Sequence, residues 1–179
     1  HTLSLHDALP IYKKIPSQLS KNFLSKQKGT ILDLGSGSGR HLTKIKNGEM
    51  VLVDFSKEMI KLAKKKAKKM KLPANFHVAD IAKLPFENNL FDGAISISSI
   101  HCTPKSQHKK IVKELYRVMK PKAKALIGVW NKDSKRFKNK KEKEKENYIG
   151  WTDKGKRYYY LFTEDEVHKL FKDAGFKIL

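Results

Sequence analysis

The sequence predicts an α/β protein built on a doubly wound, mainly parallel sheet. Strand-like apolar runs alternate with amphipathic helical runs, and each early strand runs into a polar turn that bears an acid. The 179 residues, 39% of them hydrophobic, suffice for one domain with a sizeable core. Right-handed crossovers between successive parallel strands then place helices on both faces.

Along the chain, His1 to Ile11 does not read as protein design and resembles translated sequencing-adaptor sequence, so native sequence is expected to begin near Tyr12. Pro16 to Lys26 reads as an amphipathic helix with Pro16 in its first turn. Thr30 to Leu34 is a strand entering the loop Gly35-Ser36-Gly37-Ser38-Gly39, and Arg40 to Lys46 is expected to be a short helix. Glu49 to Asp54 is the next strand. Ser56 caps a lysine-rich helix whose core face is Met59, Ile60, Ala63, Ala67 and Met70, the lysines forming the solvated side. Asn75 to Asp80 and Phe91 to Ser98 are strands, and Ile111, Val112, Leu115, Val118 and Met119 share one helix face.

Ala123 to Trp130 reads as the fifth strand. Asn131 to Lys156 has no apolar periodicity and is expected to be a mobile charged insertion. Thr163 with Glu166 forms a capping box opening a helix that ends at Gly175. Phe176 to Leu179 reads as the start of another strand. The expected organisation is a leader at 1–11 and one domain at 12–179, cut at both ends.

The glycine loop gives the first chemical signal. Glycines let backbone approach a ligand closely, but the spacing is G-x-G-x-G with Arg40 where a dinucleotide fingerprint has its last glycine. Asp33 at the loop entrance would repel a pyrophosphate. S-adenosylmethionine, with an ammonium, a sulfonium and no phosphate, suits such an acid. Asp54, nineteen positions after Gly35, is placed to accept from a ribose diol. Asp80 is placed to accept from an adenine amino group while Ile81 packs on the ring. Any one of these acids alone reads as a turn or helix cap, and it is their ordered succession at strand ends that points to a cofactor. Ser36, Phe55 and Ser98 complete the expected cofactor set with Gly35, Gly37 and Gly39.

These residues resemble the class I S-adenosylmethionine-dependent methyltransferases, from about Leu19 to the last residue. The resemblance implies Asp33 and the three glycines around the methionine part, Asp54 on the ribose and Asp80 near adenine. It also implies a closing antiparallel strand pair, and with the last strand of that pair missing, the edge of the fifth strand is expected to be unpaired or irregularly covered. The family's Pro-Gly-Gly before that strand is Pro121-Lys122-Ala123 here, so the turn is expected to avoid a conformation only glycine favours.

Composition bounds the partners. The net charge of +21 and pI near 9.9 suit phosphate binding. Only Arg40, Arg117, Arg136 and Arg157 are arginine among 39 basic residues, which an AT-rich genome would also produce. No run approaches the ~18 apolar residues of a membrane span and no signal peptide pattern opens the chain, so a soluble cytoplasmic protein is expected. The single cysteine, Cys102, excludes an internal disulfide and a cysteine-cluster metal site, and no metal is expected.

Three segments, Ala94 to His101, Ala125 to Trp130 and Arg157 to Phe162, look like the tRNA wobble-uridine carboxymethyl methyltransferases, which include the methyltransferase half of an AlkB-like protein. That family's second histidine is Cys102 here, and the histidine after its Arg-Tyr-Tyr is Tyr160. The resemblance implies tRNA as substrate and a small zinc-containing activator pairing along a sheet edge. A carboxylate acceptor, with a pKa of about 4, is ionised at neutral pH and needs no general base. It needs a cation, and Arg157 is the candidate, against a pairing with an acid of the insertion. His101 is a candidate to orient the acceptor or contact RNA, against a backbone-bonded loop histidine. Tyr158, Tyr159, Tyr160 and Trp151 are open between stacking on a base and covering the core. The competing functions are methyl transfer to a small molecule and a noncatalytic tRNA-binding subunit.

Overall fold

The computed structural model describes residues 2–7, 17–134, 137, 145–150 and 156–179. In chain order the elements are β1 (Thr2–Asp7), α1 (Gln18–Ser25), β2 (Lys28–Leu34), β3 (Lys46–Asp54), α2 (Lys57–Met70), β4 (Ala74–Val78) and β5 (Phe91–Ile97). There follow a 3-10 turn at Ile100–Cys102, α3 (Lys105–Val118), β6 (Met119–Val129), β7 (Glu146–Gly150), β8 (Lys156–Tyr160), α4 (Glu164–Asp173) and β9 (Lys177–Ile178). Among the described residues the main sheet has seven strands in the order β4-β3-β2-β5-β6-β1-β9, every pair parallel. The doubly wound parallel sheet expected from the alternation is the observed fold.

Alternation of side chains along each strand divides the core between the two faces. Leu32, Leu34, Val51, Val53, Ala94, Ala125 and Ile127 face α3 and α4, where Ile111, Val112, Leu115, Val118 and Phe171 meet them. Ile31, Met50, Leu52, Ile95 and Leu126 lie on the other face with Leu24 of α1 and Ala63 and Ala67 of α2. Burying each Leu, Ile or Val side chain stabilises by roughly 1.5–3 kcal/mol. Both faces are thus anchored, and the carboxyl ends of β2, β3 and β4 are held in register, with Leu34 opposite Val53 and Asp54 opposite Val78.

Local signals explain the helices. Ser17 and Ser56 cap α1 and α2 by accepting from Ser20 N–H and Met59 N–H. Thr163 and Glu166 form the capping box of α4, and Gly175 follows it at φ 100°. No helix among the described residues is long and apolar enough to cross a membrane.

Several expectations are corrected. Arg40 to Lys46 is not helical: Gly37 to His41 forms turns and β3 already begins at Lys46, leaving too little chain to nucleate a helix. Met70, at the last position of α2, is 45% exposed and outside the core face. The strand expected from Ala123 begins at Met119, and Lys122 in its first part adopts φ 66°, the left-handed conformation that the missing glycine was expected to preclude. The outer edge of β6 is covered by β1, which lies between β6 and β9. The charged segment 131–156 contributes β7, which pairs antiparallel with β8 from Glu146 opposite Tyr160 to Gly150 opposite Lys156. Tyr12 to Pro16, Arg136 and Trp151 lie outside the described residues.

Candidate functional site

The glycine loop leaves β2 in a fixed path. Gly35 and Ser36 N–H both donate to Val53 C=O, at 2.8 and 2.9 Å, so the loop bends over the end of β3. Gly35 has φ 73°, and a Cβ there would lie 2.2 Å from Ser99 Cβ. Gly37 has φ 53°, and a Cβ there would meet nothing within 4 Å. The first glycine is therefore required by packing, while the second leaves an open cradle beside the backbone. Lys66 of α2 holds the far side of the loop, its Nζ donating to Gly39 C=O at 2.6 Å. One lysine of the face expected to be wholly solvated thus acts on the loop.

Asp33, one residue inside the end of β2, is 1% exposed, and its Oδ2 has no hydrogen-bond partner among the described residues. Burial, reinforced by the charge of Asp54 and opposed by Arg40 and Lys66, raises its carboxyl from 3.8 to about 7. His41 Nδ1 stands 3.9 Å from Oδ2. Burial first, then Arg40 and Lys66, push His41 down to about 4, so the pair is a neutral imidazole beside an acid rather than a salt bridge. Arg40 and Lys66 act on this acid at a distance, but its Oδ2 has no hydrogen-bond donor among the described residues, an incomplete arrangement that a ligand ammonium would complete.

Asp54, at the end of β3, is buried and accepts from Gly37 N–H at 2.8 Å and Ser56 N–H at 2.9 Å. Each carboxylate oxygen has a second lone pair, so capacity remains for a diol. Phe55 beside it is 81% exposed, an apolar ring presented to solvent at the strand end, as is Val78 at 52%. Asp80 is exposed and its Oδ1 accepts from Ala82 N–H at 2.8 Å. This is the turn-forming role open to a lone acid, and it leaves Oδ2 available. Ile81 is buried in the core beside it.

At the end of β5, Ser96 and Ser99 hydroxyls both donate to Leu34 C=O, at 3.0 and 2.9 Å, and lie 2.6 Å from each other. They tie the end of β5 to the start of the glycine loop, a role the sequence reading missed although the Ser-x-x-Ser spacing was visible. Ser98 adopts φ 61°, and its hydroxyl is buried with no hydrogen-bond partner among the described residues, as is that of Ser36. These orphaned oxygens, the Gly37 cradle and the acids at the ends of β2 and β3 form one polar crevice across the carboxyl ends of the strands, where open α/β sheets hold ligands.

The substrate-side candidates separate. His101 is 0% exposed, stacked on Trp130 at 4.9 Å between ring centroids, and neither ring nitrogen has a hydrogen-bond partner among the described residues. Burial, with His108 adding, pushes it down to about 3, so it is neutral. The backbone hydrogen bond of the alternative reading is not made among the described residues. Tyr159 continues the stack on Trp130 at 4.5 Å and belongs to the core, as do Tyr160 and Phe162. Arg157 is exposed on β8, and Tyr158 is half-buried on the opposite side of the strand. Tyr158 lines a cleft of about 820 Å³ with Cys102, Lys105, Lys109, Glu146 and Tyr148. Of the three candidates, only Tyr158 reaches that cleft.

The comparisons accord with this geometry. The methyltransferase domain family matches residues 31–122, half of the chain. The chain belongs to that family, and is a methyltransferase domain of the S-adenosylmethionine-dependent class. It is 35% identical over 101 residues to the tRNA (carboxymethyluridine(34)-5-O)-methyltransferase of Arabidopsis thaliana, covering 56% of this chain and 24% of that one. It is 32% identical over 176 residues to the ubiquinone/menaquinone biosynthesis C-methyltransferase UbiE of Rickettsia felis, covering 82% and 68%. A crystal structure of a SAM-dependent methyltransferase from Methanosarcina mazei shares the fold with TM-score 0.70 and 24% identity, over 89% and 84% of the two chains. So does a putative methyltransferase from Haloferax volcanii in complex with the Trm112 methyltransferase activator, with TM-score 0.65 and 22% identity over 88% and 65%. The chain spans between a quarter and a half of the length of the first curated relatives it matches.

Proposed function

We propose that the chain transfers the methyl group of S-adenosylmethionine to the carboxymethyl group of a tRNA wobble uridine, forming its methyl ester. The observation that carries the donor half is the buried Asp33, whose Oδ2 has no hydrogen-bond partner among the described residues, beside the open Gly37 cradle. Asp33 would hold the ammonium of the donor, Asp54 the ribose hydroxyls and Asp80 the adenine amino group, with Phe55 and Ile81 against the ring. Gly35, Ser36, Gly39 and Ser98 shape the wall. When bound, the donor supplies a methyl group activated on a positively charged sulfur. The chain's own part is to position donor and acceptor in line. A carboxylate acceptor is already ionised at neutral pH, and the buried, neutral His101 is then not required as a base.

What supports the tRNA reading is the carboxymethyluridine enzyme among the relatives, together with the surplus of positive charge. Incubating the full-length protein with methyl-labelled donor and carboxymethyluridine-containing tRNA tests it. The product is expected to carry a label released by mild alkali, as an ester is, and absence of tRNA-bound label rejects the assignment. The longer match to a quinone C-methyltransferase favours a second reading, methyl transfer to carbon of a small molecule. Label that survives alkali on a small-molecule acceptor would establish that one.

A small zinc-containing activator is proposed as partner, supported by the Trm112 complex of the Haloferax neighbour. Strand β4 ends the described sheet and would be the strand to extend. Co-expression is expected to raise soluble yield, and an unchanged yield would count against the partnership.

A further inference from the structure

The cleft of about 820 Å³ beside Cys102 is not part of the donor crevice, yet it begins one turn away from it. Ser99, which donates to Leu34 C=O at the glycine loop, opens the 3-10 turn that ends at Cys102. Cys102 Sγ lies 3.5 Å from Ser98 C=O, and its thiol feels the charges of both Arg157 and Asp54. The cleft therefore continues from the acceptor end of the donor crevice, between the start of α3 and the β7–β8 hairpin.

Its lining combines two kinds of group. Tyr148 and Tyr158 stand edge to face across the hairpin, with ring centroids 5.7 Å apart, and Tyr148 is 69% exposed. Lys105 and Lys109, one helical turn apart on α3, line the same cleft, and the first turn of α3 carries no acid. Glu146 is the acid of the lining, and the Tyr158 hydroxyl is buried with no hydrogen-bond partner among the described residues. Aromatic surface beside two lysines suits a flat ring that bears a negative charge.

Resting on the reading of the acceptor given above, we infer that this cleft seats the acceptor base, its ring on Tyr148 and Tyr158 and its carboxylate on Lys105 and Lys109. Arg157 does not line the cleft. The cation for the carboxylate comes from α3 rather than from β8.

The test is binding to the full-length protein saturated with S-adenosylhomocysteine, measured by calorimetry with two probes, 5-carboxymethyluridine and phenylacetate. Replacing both lysines (K105A/K109A) is expected to weaken 5-carboxymethyluridine about tenfold or more while S-adenosylhomocysteine affinity changes less than about twofold. The K105R/K109R pair is expected to keep most of the affinity, and Tyr148→Ala to weaken both probes. Unchanged 5-carboxymethyluridine affinity in K105A/K109A overturns the inference, as does failure of both probes to bind. Lysine-dependent binding of phenylacetate without binding of 5-carboxymethyluridine keeps the cleft as a site for an anionic ring and rejects the wobble-uridine assignment instead.

Discussion

Replacing Asp33 by Asn removes one negative charge from the interior while keeping the shape of the side chain, and its effect depends on pH in a calculable way. The native carboxyl titrates near 7 instead of 3.8 because it is buried and lies near Asp54. Between those values the native state holds a proton that the unfolded state has released, so this group makes the protein less stable as pH rises from about 4 through about 7. The displacement corresponds to something on the order of 4 kcal/mol. His41 and His101 act in the opposite sense, since their native values are pushed down to about 4 and about 3, and the stability they contribute is lost as pH falls below their ordinary range. The total profile mixes these effects, but the difference between wild type and Asp33→Asn isolates one. Urea melts at pH 4.5 and pH 8 are expected to show the variant gaining on wild type by a few kcal/mol at the higher pH. Binding of S-adenosylhomocysteine should meanwhile weaken about a hundredfold, as expected when a desolvated charge loses its partner. Parallel stability profiles in the two proteins would refute the electrostatic reasoning.

Further outcomes follow from single contacts. Gly35→Ala places a Cβ 2.2 Å from Ser99 and is expected to lower stability by more than about 2 kcal/mol, whereas Gly37→Ala costs about 1 kcal/mol or less and mainly reduces donor affinity; melts and calorimetry separate the two. Burial alone would raise the Glu166 carboxyl, but Lys145, Thr163 N–H and the Tyr160 hydroxyl bring it down to about 2. Its stabilisation is therefore present above the ordinary carboxylate range and lost as pH falls toward 2. Glu166→Ala should cost about 1–2 kcal/mol at pH 7, and less in acid. Lys122→Gly relieves a left-handed residue at φ 66° and is expected to stabilise by up to about 1 kcal/mol in a urea melt.

The polar crevice at the strand ends was legible because its signals are local. Asp33, Asp54 and Asp80 each stand within two residues of a strand end, and parallel topology brings successive strand ends together without further information. The capping box at Thr163 and the apolar face of α3 were equally local. Three-dimensional neighbours were not legible. Lys66 looked like any lysine of a solvated face until the fold set it against Gly39 C=O. The rings that surround His101, Trp130 and Tyr159, come from distant segments and could not be read from its place after a strand. β7 was hidden because five residues at the end of a lysine- and glutamate-rich run carry too short an alternation to read, and only pairing with β8 defines them. The cleft escaped for the same reason, since Lys105, Tyr148 and Tyr158 meet only through that hairpin.

The most direct measurement is the titration of the Asp33 carboxyl carbon by nuclear magnetic resonance, with and without saturating S-adenosylhomocysteine. A midpoint near 7 in the free protein that falls below the ordinary carboxylate range in the complex is the predicted result. A midpoint that does not move on binding would contradict the claim that this buried acid receives the donor's ammonium.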